Sequence, residues 1–312
     1  MKRNIVTKAL EFMRDPDYRF KILASMGMYN KLDDETFLKK YYQCIFHKEL
    51  DLQTPKTFNA KLQWLKLYDR RPEYTMMVDK YRVRDYIAEK IGSEYLIPLL
   101  GVWDDPDEID FDSLPQKFVL KCNHNSGLGM CICKDKSKLD VKKVKADLRK
   151  GLQQDYYITL REWPYKDVPR KIICEKYMED GSTTELRDYK LFCFNGEPKA
   201  TLICSDRFTE NGLHEDFYNE LWEKLLVKRP NIPVSKEVLE RPVNFEMMKS
   251  IARKLAEELP FVRTDFYEIN GKIYFGEMTF FPASGFSGFD PEYWDQKFGE
   301  WITLPEQLGG GT

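Results

Sequence analysis

The sequence predicts an α+β protein, and three observations carry that prediction. Apolar residues recur at helical spacing early in the chain, with Phe58, Leu62, Leu65 and Tyr68 as one stripe. Short strand-like runs follow, such as FVLKC at 118–122 and KIICEKYM at 171–178. Two Asn-Gly pairs, at 195–196 and 270–271, separate such runs and mark hairpins. Hairpin-linked strands interspersed with helices fit α+β better than a doubly wound parallel sheet.

Each element has a local cause. The aromatic-rich segments YYQCIFHKEL and TFNAKLQWLKLYDRR are helical by period, and VDKYRVRDYIAEKIG predicts a helix from Val78 to a stop at Gly92, carrying Lys80. Asp104 to Asp112 is an acidic, proline-interrupted loop. Strands at 118–122 and 130–134 flank a polar connection containing Ser126, Gly127 and Gly129. Lys138–Gln154 is a basic amphipathic helix with Asp140 as its N-cap. A strand at 171–178 and a hairpin around Asn195-Gly196 come next. A helix capped by Asn244 and halted by Pro260, then a hairpin at 261–280, complete the pattern.

Composition narrows the function. The 312 residues carry 49 Lys+Arg against 51 Asp+Glu, a net charge of −2, so no global field favours nucleic acid or anionic lipid. No apolar run reaches the length of a membrane helix. The start, MKRNIVTKALEFMRD, has no continuous apolar stretch, so no signal peptide and a cytoplasmic location are expected. Reduced thiols are expected for the seven Cys, and His47, His124 and His214 are too scattered for a zinc site.

The last hairpin is the richest in chemistry. Arg263, Asp265, Glu277 and Thr279 interrupt strands that otherwise read apolar, and two carboxylates on neighbouring strands suit magnesium, which takes hard oxygen ligands. Register decides whether they meet. A two-residue Asn270-Gly271 turn puts Asp265 and Glu277 on opposite faces. A three-residue loop, with Gly271 left-handed in a bulge, pairs Glu268 with Lys272 and gathers all four on one face. The metal reading therefore predicts the longer loop; its alternative is an exposed sheet face carrying solvated charge. Elsewhere, amides near Ser126, Gly127 and Gly129 suit phosphate oxygens, although no Walker A pattern is present and a simple turn explains the glycines equally. Lys121 and Lys190 interrupt apolar strands, so each needs an anionic partner: a phosphate, or a carboxylate such as Glu175 or Asp188. Glu175-Lys176-Tyr177-Met178 ends a strand, where free backbone groups and Met178 could hold a planar base.

The order of these segments resembles the ATP-grasp fold, and DKYRVRDYI, FVLKCNHNSG, DYKLFCFNGEPK and VRTDFY resemble its TupA-like branch, over about Thr54 to Phe286. The resemblance implies two α+β subdomains clamping a nucleotide behind a helical N-terminal region, divided at 1–75, 76–178 and 179–312. It implies ATP and Mg2+. Lys80 and Lys121 would contact phosphates, the 123–129 loop would close over them, and Lys190 would reach the β- and γ-phosphates. The backbone at Lys176 and Met178 would read adenine, with Glu175 and Tyr177 part of that pocket. Arg263 would stabilise the transferring phosphoryl group, while Asp265 and Glu277 hold the metal. Thr279 departs from the Asn common at that position, and no match fixes the ribose; Glu179 and Glu185 are the candidates.

The resemblance further implies a ligase that activates a carboxylate as an acylphosphate and passes it to an amine, in bacterial capsular or extracellular polysaccharide biosynthesis. The carboxylate and amine would be small or sugar-linked molecules. Ser284 and Gly285, in the PASGF segment beyond the metal strand, would face the acceptor, and Arg207 would pair with the carboxylate or with Asp206. A nucleotide-sugar glycosyltransferase is the rival, with Asp105-Pro106-Asp107 or Asp110-Phe111-Asp112 as its metal motif. A non-catalytic ATP-binding assembly protein is the third reading. The sequence does not give the oligomeric state.

Overall fold

The computed structural model describes residues 5–181, 186–205 and 212–306. Six helices come first: α1 (Ile5–Arg14), α2 (Pro16–Ser25), α3 (Asp34–Phe46), α4 (Phe58–Tyr68), α5 (Glu73–Val78) and α6 (Val83–Lys90). Asp15, Asp33 and Thr57 cap α2, α3 and α4 by accepting from backbone N–H groups of the first turn. The helix expected from Val78 to Gly92 is broken. Asp79 Oδ1 accepts from the amides of Tyr81 and Arg82 and from Asn123 Nδ2, and the resulting turn separates α5 from α6. Lys80 therefore sits in a turn, not on a helix.

Next come β1 (Leu99–Trp103), β2 (Phe118–Cys122), β3 (Cys131–Cys133), α7 (Val141–Gln153), α8 (Tyr156–Leu160) and β4 (Ile172–Lys176). The chain ends with β5 (Asp188–Phe194), β6 (Glu197–Ser205), β7 (His214–Asn219), α9 (Phe245–Leu255), β8 (Phe261–Ile269), β9 (Lys272–Thr279) and α10 (Tyr293–Glu300). Asp140 caps α7 as expected. Asn244 precedes α9 but makes no side-chain cap; its amide donates to Glu268 Oε1 and to the Gly271 carbonyl, bracing the last hairpin. Among the described residues, no helix is long and apolar enough to cross a membrane.

The strands form two antiparallel sheets, a small one ordered β1-β4-β2-β3 and a large one ordered β7-β6-β5-β8-β9. One face of the small sheet buries Phe118, Leu120, Cys122, Ile172 and Cys174 with Val144 and Leu148 of α7. The large sheet sets Leu191, Cys193, Ile203, Val262 and Phe266 among Met248, Ile251, Ala252 and Leu255 of α9. Its other face is divided. Phe192, Phe194, Phe217 and Phe261 pack with Phe58 of α4 and Phe298 of α10, and offset or edge-to-face rings add about 0.5–1.5 kcal/mol per pair beyond area burial. The remainder of that face is charged.

Candidate active site

The Asn-Gly turns are the two-residue kind. Asn270 and Gly271 both have positive φ, and Ile269 pairs with Lys272, so the longer loop predicted for this hairpin does not form. Left alone, that register would part the carboxylates. A bulge repairs it: Phe266 pairs with Phe275 but Asp265 pairs with Glu277, leaving Gly276 as the extra residue. A Cβ at Gly276 would stand 3.1 Å from the Asp265 carbonyl, so glycine suits the crowded position. Arg263, Asp265, Glu277 and Thr279 thus share one face, by way of a bulge and not of the turn.

Their side chains interlock. Arg263 donates Nε and Nη2 to the two oxygens of Asp265, each at 2.7 Å, and Nη2 also reaches Glu277 Oε1 and Thr279 Oγ1 at 3.0 Å. From the neighbouring strand, Lys190 Nζ lies 2.5 Å from both Asp188 Oδ2 and Asp265 Oδ2. Asp188, Lys190, Arg263 and Asp265 are buried, which keeps each charge dependent on its partners. Burial pushes Glu277 up, but the charges of Lys80, Arg263, Lys190 and Lys121 outweigh it and hold the carboxyl at about 2. Burial raises Asp188 in spite of Lys190 beside it.

The small sheet faces this network. Lys121 Nζ is 2.6 Å from Glu175 Oε2, with Arg84 Nη1 at 3.6 Å from the other oxygen. Lys80 spans the gap, donating to the Asn125 carbonyl at 2.7 Å while standing 4.0 Å from Glu277 Oε2. The β2–β3 loop is firmly held at its start. Asn123 bonds Asp79 and the Pro169 carbonyl, His124 Nε2 meets the Gln154 carbonyl, and Asn125 donates to that of Gly151. Gly129 lies so close to Gly151 that a Cβ would come within 3.0 Å of its Cα. Between these anchors Ser126, Gly127 and Leu128 are exposed, and Gly127 has open space around it.

Between the sheets lies a cleft of about 460 Å³, a size that suits a small-molecule ligand. Val119, Ile132 and Met178 give it apolar walls; Lys121, Glu175 and Asp188 give it charge, and Gly276 also borders it. Lys176 and Tyr177 line it too, although the Lys176 N–H already donates to the Pro98 carbonyl. Glu179 instead pairs with Lys117 at 2.6 Å. The aspartates of the rival metal motif are engaged elsewhere: Asp105 caps a short 3₁₀ turn and Asp107 pairs with Lys145 and Arg149 of α7.

Ser284 and Gly285 are buried and not on an open loop. The Ser284 hydroxyl donates to Glu162, its carbonyl accepts from Lys66 at 2.7 Å, and Gln63 holds the Gly285 carbonyl at 2.8 Å. Burial raises Glu162 and lowers Lys66. Nothing in the sequence marks this buried pair, because a lone lysine on a helix and a lone glutamate in a connecting segment ordinarily face water. Arg207 and Glu185 lie outside the described residues.

The family's sequence profile, described as TupA-like ATPgrasp, matches residues 60–303. The chain belongs to the TupA-like ATP-grasp family. No curated protein matches it. Among solved structures it is similar to D-alanine–D-alanine ligase from Bacillus anthracis complexed with ATP, at 18% identity over 65% of this chain and 53% of that one, with a TM-score of 0.38. The ligase of the same name from Helicobacter pylori is 14% identical over 79% of this chain and 69% of that one, at 0.43. The biotin carboxylase domain of Hydrogenobacter thermophilus 2-oxoglutarate carboxylase is 16% identical over 65% and 40%, at 0.40. The TupA-like chain thus spans about half the length of the first of these, and its family membership rests on the profile match.

Proposed function

We propose that this TupA-like ATP-grasp protein is an ATP-dependent carboxylate–amine ligase. One observation carries the reading: Arg263, Lys190, Asp265 and Glu277 converge on one sheet face and adjoin, through Asp188 and Gly276, a cleft that Lys121 also lines. The apolar walls would take adenine, with the Lys176 carbonyl and Met178 as its backbone contacts and Glu175 beneath. Lys80, Lys121 and the Ser126–Gly129 loop would bind phosphates, and Lys190 would reach the outer ones.

A substrate carboxylate then attacks the γ-phosphorus of ATP, and ADP leaves. An amine opens the resulting acylphosphate, giving an amide, phosphate and a proton. Lys121, Lys190 and Arg263 spread the charge of the transferring phosphoryl group, and positioning supplies most of the acceleration. Magnesium fits the donor set, since two carboxylates and a hydroxyl converge on the Arg263 guanidinium. Asp265 and Glu277 would hold it, with Thr279 beside them. When bound, it neutralises phosphate charge.

The family's association with bacterial capsular and extracellular polysaccharide supports placing the reaction there, with a uronic acid or an amino-acid side chain as the carboxylate. Thermal shift with ATP, UDP-glucose or UDP-glucuronate, each with magnesium, tests the assignment on wild type and Glu277→Gln. ATP should stabilise the wild type and do so less in the variant, and carboxylate–amine pairs should release ADP. Stabilisation by a UDP-sugar alone, indifferent to Glu277, overturns the ligase reading. ATP binding without ADP release for any pair would return the non-catalytic reading.

A further inference from the structure

Beyond the ATP cleft, the charged face of the large sheet carries a second pair of ions that the ligase chemistry does not use. Glu215 on β7 pairs with Cys204, Cys204 with Asp188, and Asp188 with Tyr267, so Glu215 stands in the same cross-strand row as Asp188. Two strand spacings separate them, roughly 10 Å. Arg229 comes over this edge from the segment after β7. Its backbone neighbour Lys228 exchanges two hydrogen bonds with Asp290, which ties Arg229 to the chain just beyond Ser284 and Gly285.

The two arginines are bonded very differently. Arg263 grips Asp265 through two hydrogen bonds of 2.7 Å. Arg229 Nε stops 3.5 Å from Glu215 Oε2, and neither atom has a hydrogen-bond partner among the described residues, although both are buried. A buried donor or acceptor left unpaired costs about 1–3 kcal/mol, and more for an ion. A structural ion pair would close that gap. This one keeps a spare donor beside a spare acceptor.

We propose that Arg229 and Glu215 form a substrate subsite for the α-carboxylate and α-ammonium of an amino acid, whose other carboxyl is the group activated near Arg263. An ammonium and a carboxylate on one carbon offer the complementary donor and acceptor side by side, and a guanidinium suits the carboxylate. The inference deepens the ligase reading and rests on it for the placement of the reacting carboxyl.

Calorimetric titration tests it, with and without magnesium and a non-hydrolysable ATP analogue. The probes are L-glutamate, L-aspartate, N-acetyl-L-glutamate, glutarate and D-glucuronate. One of the free amino acids should bind at least tenfold more tightly than the probes lacking the ammonium. Arg229→Gln should lose at least tenfold for that amino acid with the ATP-analogue affinity unchanged, and Arg229→Lys should recover part of it. Glu215→Gln should erase the preference for L-glutamate over its N-acetyl form. The double variant R229Q/E215Q leaves no lone buried charge, so it guards against misfolding and should bind none of the probes. Wild-type affinity in Arg229→Gln, preference for glucuronate, or no binding of any probe overturns the subsite. If the amino acid binds but no pairing with an amine releases ADP, the ligase reading falls and the subsite stands.

Discussion

On the large sheet the charges at the cleft form one cluster across three strands, whereas on the small sheet a single pair, Lys121 and Glu175, stands beside anchored loops. Arg263, Asp265, Glu277, Lys190 and Asp188 form one bonded cluster on adjacent strands. Lys121 has Glu175 as its ion-pair partner, Arg84 stands farther off, and the neighbouring anchors belong to the Asp79 turn and the β2–β3 loop. The cluster is set by strand register and is rigid in the way a sheet is rigid. The loop side is held at its ends, and Ser126, Gly127 and Leu128 between them are exposed, with Ser126 meeting the Tyr156 hydroxyl. Lys80 joins the two by bonding Asn125 while standing near Glu277.

The comparison breaks most completely if the register of the cluster is lost. Inserting one residue between Gly276 and Glu277 shifts Glu277 opposite Thr264, so Glu277 and Thr279 turn to the other face unless the bulge widens to absorb it. Met278, now buried, would change places with Glu277. ADP release should fall by a factor on the order of 10³, at least the loss typical of removing a key electrostatic group, with a clear drop in melting temperature. Retained turnover would show that this register does not set the site. Equivalent disruption on the small sheet should be milder. Lys121→Met leaves Glu175 with Arg84 at 3.6 Å, a deficit of about 1–3 kcal/mol. The KM for ATP should rise roughly tenfold, the equivalent of about 1.4 kcal/mol of binding. An unchanged KM would remove Lys121 from the phosphate site.

The same contrast explains what could be read from the sequence. Both hairpins were legible because Asn-Gly is chemically suited to a two-residue turn, and the carboxylate pair was legible because charges interrupt apolar strands. The bulge that unites them was not, although a glycine inside a strand is a fair signal of one. The break at Asp79 was only half visible: its carboxylate turns the chain locally, but Asn123, which holds that carboxylate, is 44 positions away. Lys66 and Glu162 read as ordinary surface charges, since nothing local shows that α4 will be covered by the 282–285 turn. The strand β1 lacks the alternation that would announce it, and β7 reads as a mostly polar run although Asn211-Gly212 stands just before it. Local chemistry fixes turns and caps; burial and register depend on partners that the sequence does not place side by side.

The smallest effect sharpens the comparison through pH. His124 in the β2–β3 loop is 2% exposed, and its Nδ1 has no hydrogen-bond partner among the described residues. Burial pushes its pKa down from 6.5 to about 4 in spite of the Gln154 carbonyl. Between those values the unfolded chain binds a proton that the folded loop refuses, so stability falls as pH drops from about 6.5 towards 4. From pH 7.5 to pH 5.0 the wild type should lose about 2 kcal/mol through this group alone. His124→Gln should lack that part of the decline. Glu277, held at about 2, stays ionised across the same window, so that carboxylate contributes no step of its own there. Urea unfolding of both proteins at the two pH values reads the difference directly. Equal declines would mean that the loop histidine is not held neutral, and the anchored end of the loop would then be looser than its hydrogen bonds imply.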